Sequence, residues 1–272
     1  MSEKLHLSNL HCHTTFSDGA NSPAEMAEAA IGLGLSAIGF SDHSHTPTDS
    51  LYCITAENVP LYKRAVREVQ KQFAGRIEVA LGLEQDAMTV LDDRDDYDYI
   101  LGDSHYVTGG GRLWHVDHDA AEQRESINEG FGGSWLSYAK EYFREYVEGV
   151  TRMKPDILGH FDLVTKFGLI DECDPAYQAA AVEALHAALA VTPVIEMNTG
   201  AISRGYRKLP YPADFLLKEI KKAGGEITLC SDSHAVHTQT CFFPESLDIL
   251  RAAGFDHMIV WKNGGLNEVG IR

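Results

Sequence analysis

The stretch "LHCHTTFSDG" at residues 10–19 places two histidines one residue apart and a carboxylate shortly after them. It follows the alternating run "LHLSNL" (5–10), which is typical of a short strand. Side chains two residues apart on an extended segment point to the same face, so His11 and His13 can both reach one cation. The stretch therefore predicts a strand whose end forms one corner of a metal site, with Asp18 on the turn that follows.

Short apolar runs and amphipathic helical segments alternate along the rest of the chain. The predicted strands lie at 5–11, 37–42, 77–83, 97–103, 156–160, 192–198, 226–231 and 257–261, with most of the helices between them. Such alternation is typical of a parallel sheet, and seven or eight units favour closure into an α/β barrel. No flexible linker divides the chain, so we expect one domain over 1–272. The glycine-rich stretch 107–133 is predicted to be a long loop insertion over the face where the strands end, and a candidate lid.

Imidazole and carboxylate side chains fall at the predicted ends of these strands. The carboxyl ends of parallel strands meet at one rim, which is where barrel enzymes carry out their chemistry. The residues that converge there are His11, His13, Asp18, His43, Glu84, His105, His160, Asp232 and His234. Imidazole with carboxylate suits Zn, Mn or Fe better than Ca or Mg. Nine side chains are too many for one ion, so we expect two or three divalent transition metals roughly 3.5–4 Å apart, as in two-metal phosphoesterases.

The composition limits the classes of function. Of the 272 residues, 44% are hydrophobic, which is enough for a sizeable core. Asp and Glu number 40 against 23 Lys and Arg, and the net charge of −17 argues against binding long nucleic acids. No apolar run approaches the roughly 18 residues needed to cross a bilayer. Five cysteines without a CxxC pair, and no secretory leader, favour the cytoplasm; a homo-oligomer is left open.

Several of these segments resemble the motif series of the PHP (polymerase and histidinol phosphatase) superfamily. They are "HCHTTFSDG" (11–19), "SDH" (41–43), "GLE" (82–84), "GDSHY" (102–106), "DILGHFD" (156–162) and "SDSH" (231–234). The likeness spans nearly the whole chain, from His11 to about His234. Within the superfamily, "ENVPLYKRAVREV" (57–69) and "DILGHFDLVTKFG" (156–168) are similar to the histidinol-phosphate phosphatases of the PHP type.

This resemblance implies a distorted (β/α)7 TIM-like barrel with a trinuclear site that hydrolyses a phosphomonoester. The implied substrate is histidinol phosphate, in histidine biosynthesis. The resemblance assigns His11, His13, Glu84 and Asp232 to a first metal, Glu84 with His105 and His160 to a second, and Asp18, His43 and His234 to a third. Glu84, Asp232 and His234 are the implied catalytic residues, acting through the metals they hold.

A phosphate group also needs direct donors from the protein. The segment "NTGAISRGYRK" (198–208) follows the sixth predicted strand at the same rim, so Arg204 and Arg207 are candidates for bidentate contacts. Asn198 at the strand tip and Lys166 after the fifth strand are further candidates for substrate binding.

Three other functions remain open from the sequence. One is a different PHP phosphoesterase that acts on nucleotides or other small phosphomonoesters. Another is a metal-dependent amidohydrolase, which also begins with His-x-His on a barrel strand, although its usual bridging group resembles a modified lysine where this chain has Glu84. The third is a metal-binding module without catalysis, for which a full set of ligands is unexpected.

Overall fold

Eleven strands lie within the residues that the computed structural model describes, which are 5–46, 49, 51–90 and 93–271. In chain order they are β1 (Ser8–Asn9), β2 (Ala37–Phe40), β3 (Glu78–Asp86), β4 (Tyr99–Asp103), β5 (Tyr106–Gly109), β6 (Arg112–His115), β7 (Ile157–Leu158), β8 (Val194–Asn198), β9 (Glu226–Cys230), β10 (His257–Lys262) and β11 (Gly265–Gly270). Nine of them form one sheet in the order β1-β2-β3-β4-β7-β8-β9-β10-β11. Every neighbouring pair in it is parallel except β10 and β11. All eight predicted strands are present, and β5, β6 and β11 are additional.

The ends of β1 and β9 meet and close seven parallel strands into a ring. Cys12 and Ser233, just beyond these two strands, form a parallel bridge. The backbone N–H of His13 donates to the Ser233 carbonyl at 2.8 Å, and the Ser233 N–H donates to the His11 carbonyl at 3.1 Å. The resulting barrel of β1–β4 and β7–β9 confirms the predicted distorted (β/α)7 TIM-like fold.

Helices connect the strands around the outside of the barrel. The α-helices are α1 (Pro23–Leu33), α2 (Val59–Gln72), α3 (Ala120–Glu125), α4 (Trp135–Met153), α5 (Pro175–Leu189), α6 (Gly200–Ser203), α7 (Asp214–Ala223) and α8 (Phe243–Ala252). Short 3₁₀ turns lie at Arg94–Asp96, Leu163–Thr165 and Val236–Thr238. Helix α1 begins with a capping box between Ser22 and Glu25, which satisfies two backbone N–H groups at the start of the helix. Among the described residues, no helix is both long and apolar enough to cross a membrane.

Residues 107–133 are not the long irregular loop that the sequence predicts. They hold most of the antiparallel hairpin of β5 and β6, then α3 and a π-helical turn at Ser126–Gly130. The hairpin turns at Gly110 and Gly111, whose φ angles of 59° and 79° lie in the left-handed region that a two-residue turn requires. Because these strands are only four residues long and are separated by a run of glycines, their alternation is too short to recognise in the sequence. A role as a lid stays a prediction.

The interior of the barrel determines where the functional side chains lie. Tyr99 crosses this interior, and its hydroxyl donates to the carbonyl of Leu10 on the first strand segment. One hydrophobic cluster inside the barrel includes Ala80, Leu101, Val194 and Cys230, each on a different strand. Every second residue of a strand faces the same side. Two or four residues after these apolar residues, the inward-facing positions are therefore Glu84, Asp103, Glu196 and Asp232. Four buried carboxylates therefore lie directly above the apolar interior, at the carboxyl ends of the strands.

Candidate metal centre

Glu84, near the carboxyl end of β3, is surrounded by imidazoles. Its Oε1 lies 3.1 Å from both His11 Nε2 and His160 Nε2, and 3.6 Å from His105 Nε2. Its Oε2 lies 2.6 Å from His43 Nδ1 and 3.5 Å from His13 Nε2. These five histidines follow four different strands, β1, β2, β4 and β7. Glu84 is only 1% exposed, so the site is built around a buried carboxylate.

A second part of the site forms around Asp18, on the turn after β1. Its Oδ2 lies 3.1 Å from His234 Nε2. Its Oδ1 lies 3.7 Å from His13 Nδ1 and 3.8 Å from His43 Nε2. Asp18 therefore faces three imidazoles from three parts of the chain, including the two that also face Glu84.

Asp232 connects these two parts on the opposite side. Its Oδ1 lies 3.3 Å from His13 Nε2 and 3.8 Å from His11 Nε2. Its φ of 48° places a non-glycine residue in the left-handed region, where backbone strain is often kept for a functional geometry. Arg204 donates from Nη2 to the other oxygen of Asp232 at 2.8 Å. A side chain at position 200 would occupy this space, since a Cβ there would lie 2.6 Å from Asp232 Oδ2, and Gly200 leaves it open.

The nine predicted ligands are all brought together. The groups whose ligand atoms lie within 4.8 Å of one another are His13, Asp18, His43 and His234; Glu84, Asp103, His105 and His160; His11, His160 and Asp232; and His11, His13 and Glu84. The groups overlap, which suits a cluster of metals better than one isolated ion. They differ from the implied assignment in three ways, since His13 also joins the Asp18 group, Asp103 joins the Glu84 group, and His160 also joins His11 and Asp232.

Buried polar atoms without partners test whether the residues fit metal ions. Residues of the groups contain several such atoms, namely His11 Nε2, both ring nitrogens of His13, both carboxylate oxygens of Asp103 and His160 Nδ1, none of which makes a well-aligned hydrogen bond to the described residues. Buried polar groups are normally satisfied, and each one left without a partner is unfavourable. Ring nitrogens and carboxylate oxygens that converge on common points in this way fit divalent transition metals.

Burial and the charges of neighbouring side chains dominate the electrostatics of the site. Burial and the neighbouring His234 and His43 lower the pKa of His13 to about 3, so its imidazole is neutral. Burial acts on His43 in the same direction, but the carboxylates of Glu84 and Asp18 outweigh it and raise the pKa of His43 to about 10. Neutral imidazole is the form that binds a metal, so binding at His43 releases a proton.

Buried carboxylates behind the ligands hold them in position. Glu196 Oε2 lies 2.9 Å from His11 Nδ1, and Glu196 Oε1 accepts from the backbone N–H of His160 at 2.7 Å. Asp86 Oδ2 accepts the backbone N–H of His105 at 2.8 Å and lies 3.2 Å from its Nδ1. Carboxylates in this position fix the orientation and tautomer of a histidine ligand.

The turn that carries Asp18 is fixed in the same way by Asp42. The backbone N–H of Thr14 donates to Asp42 Oδ1 at 2.7 Å, and the Ser17 hydroxyl donates to the same oxygen at 2.6 Å. The opening stretch of the sequence therefore positions Asp18 through a carboxylate that follows β2.

A cavity of about 210 Å³ opens beside the ligands. Of the predicted substrate-binding residues, Arg204 and Lys166 line it, together with Asp49, Asp117 and Tyr106. Lys166 donates from Nζ to the Asp117 carboxylate at 3.0 Å. Arg204 is held by Asp232 at the edge of the ligand cluster, with Nη1 3.1 Å from the Nδ1 of His234. Both signs of charge are therefore present on the wall of one small cavity.

Arg207 and Asn198 are not brought to this cavity. The guanidinium of Arg207 donates to the Glu172 carboxylate at 2.8 Å and stacks on the ring of Tyr211. The amide of Asn198 is fully buried, and it donates to Glu196 Oε1 at 2.8 Å and accepts from the N–H of Gly200 at 2.8 Å. The prediction of direct phosphate contacts from these two residues is wrong in this structure, because neither residue lines the cavity and both side chains are held by partners elsewhere in the protein.

Several of the buried acids, namely Asp42, Asp86, Asp103 and Glu196, received no role from the sequence. One signal was available for Glu196, because it lies inside the apolar strand "VIEMN" (194–198), where an acid needs a partner. The other three lie one or two residues from a predicted ligand, and the sequence does not say which polar residues near the end of a strand face the interior.

Comparison with known proteins agrees with this geometry. A model of the PHP domain family matches residues 9–228. A Deinococcus radiodurans protein named "Probable histidinol-phosphatase" is 32% identical over 265 residues, which cover 91% of this chain and 94% of that protein. The histidinol-phosphatase of Lactococcus lactis is 23% identical over 266 residues and covers 93% of both chains.

A solved structure shows the same fold. It is the histidinol phosphate phosphatase of Lactococcus lactis in complex with Zn, L-histidinol and phosphate, with a TM-score of 0.70 and 21% identity. The match covers 97% of this chain and 100% of that one. Since the family model spans most of the chain and includes seven of the nine converging residues, this chain belongs to the PHP domain family.

Proposed function

We propose that this chain is a metal-dependent phosphomonoesterase that hydrolyses histidinol phosphate to histidinol and phosphate, a step of histidine biosynthesis. The observation that carries the proposal is the buried Glu84 carboxylate facing five imidazoles beside a small cavity with cationic side chains. The two curated relatives are named for this activity, and the Lactococcus lactis enzyme was solved with the products of this reaction.

The overlapping groups would hold two or three divalent ions of Zn, Mn or Fe. Asp18, His43 and His234 would bind one ion, Glu84, His105 and His160 another, and His11, His13 and Asp232 would complete a third site with Glu84. Such ions supply positive charge to the phosphoryl oxygens and lower the pKa of water from about 15.7 towards 7.

The side chains of the cavity wall would bind and orient the substrate. Arg204, fixed by Asp232 next to the ligands, presents its remaining N–H groups to a phosphoryl oxygen. Lys166 adds a second positive charge on the same wall. Histidinol carries an ammonium group and an imidazole, and the carboxylates of Asp49 and Asp117 line the cavity where these groups would lie.

Arg204→Ala is expected to raise KM for histidinol phosphate by about 10–100-fold, the loss typical of one charged hydrogen-bond donor, with a smaller effect on kcat. Arg207→Ala is the matched control, since this arginine pairs with Glu172 outside the cavity, and its KM should stay near that of the wild type. Steady-state kinetics of phosphate release measure both. If KM is the same in the Arg204 variant and the wild type, Arg204 does not bind the substrate.

Glu196→Gln is expected to weaken metal binding about 10–100-fold, the usual cost of losing an orienting carboxylate behind a histidine ligand. Glutamine keeps an oxygen for the N–H of His160 but no longer supplies a charge to His11. Competition with a chromogenic chelator measures the dissociation constants. Glu172→Gln, which removes a carboxylate far from the ligands, is the control; equal constants in both variants would contradict a positioning role for Glu196.

The proposal includes a small-molecule substrate and a cytoplasmic location. The net charge of −17 would repel long nucleic acids, and the cysteines of the chain are all unpaired, as is usual in a reducing compartment.

A panel of phosphomonoesters, including nucleotides, tests the substrate. We expect the highest kcat/KM for histidinol phosphate, and a higher value for a nucleotide would redirect the proposal to another phosphoesterase of the family.

A further inference from the structure

Asp103, the last residue of β4, is a buried acid that neither the sequence motifs nor the implied ligand set assigns to the site. Its side chain is 0% exposed, and it follows Leu101 on the inward face of the strand. Neither of its carboxylate oxygens has a hydrogen-bond partner among the described residues. A buried carboxylate without a donor is strongly unfavourable, so this side chain requires a cation or a proton.

Two candidate metal ligands lie close to the carboxylate of Asp103. Its Oδ2 lies 3.6 Å from His160 Nε2, and its Oδ1 lies 3.5 Å from His105 Nδ1. These separations are too long for good hydrogen bonds. The ligand atoms of Asp103, His105, His160 and Glu84 nevertheless all lie within 4.8 Å of one another, as atoms do that surround a common point.

The backbone leaves Asp103 little freedom to turn away from this point. Its carbonyl accepts from the N–H of Ala87 at 2.8 Å, and its strand pairs with β3 at Asp86. On the other side, a Cβ at position 159 would lie 3.0 Å from Asp103 Cβ and 3.3 Å from its Oδ2, so Gly159 gives the carboxylate the space it occupies. The side chain is therefore held between β3 and β7, directed at the ligand group.

We propose that Asp103 is an additional ligand of the metal held by Glu84, His105 and His160, so that two carboxylates and two imidazoles surround this ion. The inference rests on the proposed metal-dependent function and names one more ligand of the same centre. Two carboxylates neutralise the charge of a divalent cation and make the site richer in oxygen. A site of this composition favours Mn or Fe more than one with a single carboxylate does.

The alternative occupant of this space is a proton held between the carboxylates of Asp103 and Glu84. The two explanations predict different effects of the substitution Asp103→Asn on metal binding. Asparagine has the size of aspartate, but it is a poor metal ligand and carries no charge. If Asp103 holds a proton, Asp103→Asn leaves metal binding unchanged. If Asp103 is a ligand, the same substitution weakens binding of one ion.

The experiment is a titration of the metal-free full chain with Mn²⁺ and with Zn²⁺, comparing wild type, Asp103→Asn and Asp117→Asn. Asp117 is the matched control, because its carboxylate lines the same cavity but pairs with Lys166 and belongs to none of the ligand groups. We expect Asp103→Asn to raise the dissociation constant of one ion at least tenfold, the lower range for loss of an orienting group behind a ligand. The increase should be larger for Mn²⁺ than for Zn²⁺, and Asp117→Asn should bind both as the wild type does.

Thermal unfolding gives an independent readout. Metal that binds only the folded protein raises Tm, so the rise on loading should be smaller in Asp103→Asn than in the wild type. Without metal, the variant should melt no lower than the wild type, because the substitution removes a buried charge without changing volume. Unchanged affinities together with an equal rise in Tm would overturn the assignment of Asp103.

The outcomes separate this inference from the proposed function. A wild-type protein that binds no transition metal contradicts the metal-dependent function itself, whereas normal binding by both wild type and Asp103→Asn contradicts only the role of Asp103. If the asparagine variant does not fold, Asp103→Ser replaces it. If neither folds, an anomalous diffraction map of the loaded wild type decides, since a ligating oxygen must lie about 2.0–2.2 Å from a zinc ion.

Discussion

Glu84→Gln should lower kcat for histidinol phosphate by about 10³-fold or more, at or above the upper range for loss of one preorganised electrostatic group. The reason is the central position of Glu84, whose two oxygens lie within 3.6 Å of five histidines. Loss of its charge weakens more than one metal position at once. KM should change much less than kcat, because the metal centre acts mostly on the transition state.

The control for this variant lies on the same strand. Glu78→Gln alters the other end of β3, where the carboxylate accepts backbone N–H groups of Asn263 and Gly264 at 3.1 Å, far from the ligands. Its kcat should stay close to that of the wild type. A Glu84→Gln enzyme that keeps most of its kcat with a full metal complement would show that this carboxylate does not organise the centre.

Removal of metal by a chelator should reduce phosphatase activity to background and lower Tm. Without cations, several buried carboxylate oxygens and ring nitrogens of the centre lack a hydrogen-bond partner among the described residues, which is unfavourable. Because metal binds the folded chain preferentially, its loss also removes stability. Readdition of Zn, Mn or Fe should restore both activity and Tm.

The measurement is metal analysis and kinetics on the same sample, before and after chelation. We expect two to three equivalents of metal per chain in the active protein. Full activity in protein that contains far less than one equivalent would contradict a metal-dependent mechanism, and it would leave the buried ligand groups without a function in turnover.

The convergence of the candidate metal ligands could be predicted because two simple regularities act together. Parallel strands bring their carboxyl ends to one rim, so Glu84, His105 and His160 could be expected to meet although they are far apart in sequence. The alternation of side chains along an extended segment then predicts that His11 and His13 face the same site. Neither regularity depends on the details of side-chain packing, so both can be applied to the sequence alone.

The features that the sequence did not predict depend on which partner a polar side chain finds. Arg204 and Arg207 lie three residues apart in one loop, but Arg204 reaches Asp232 at the cavity whereas Arg207 reaches Glu172 away from it. Asn198 ends a strand at the expected rim, yet its amide is used to hold Glu196. Which partner each of these side chains contacts depends on short-range geometry in the folded chain. Residue type alone does not determine it.

The most direct test of the account is a crystal structure of the metal-loaded protein with anomalous diffraction at the metal edges. We predict two or three metal peaks at the carboxyl ends of the barrel strands, with oxygens of Glu84 bound to more than one of them. His105 and His160 should share one of these ions, and Asp18 and His234 another. Peaks that lie elsewhere, or a loaded centre that Glu84 does not contact, would contradict the central claim.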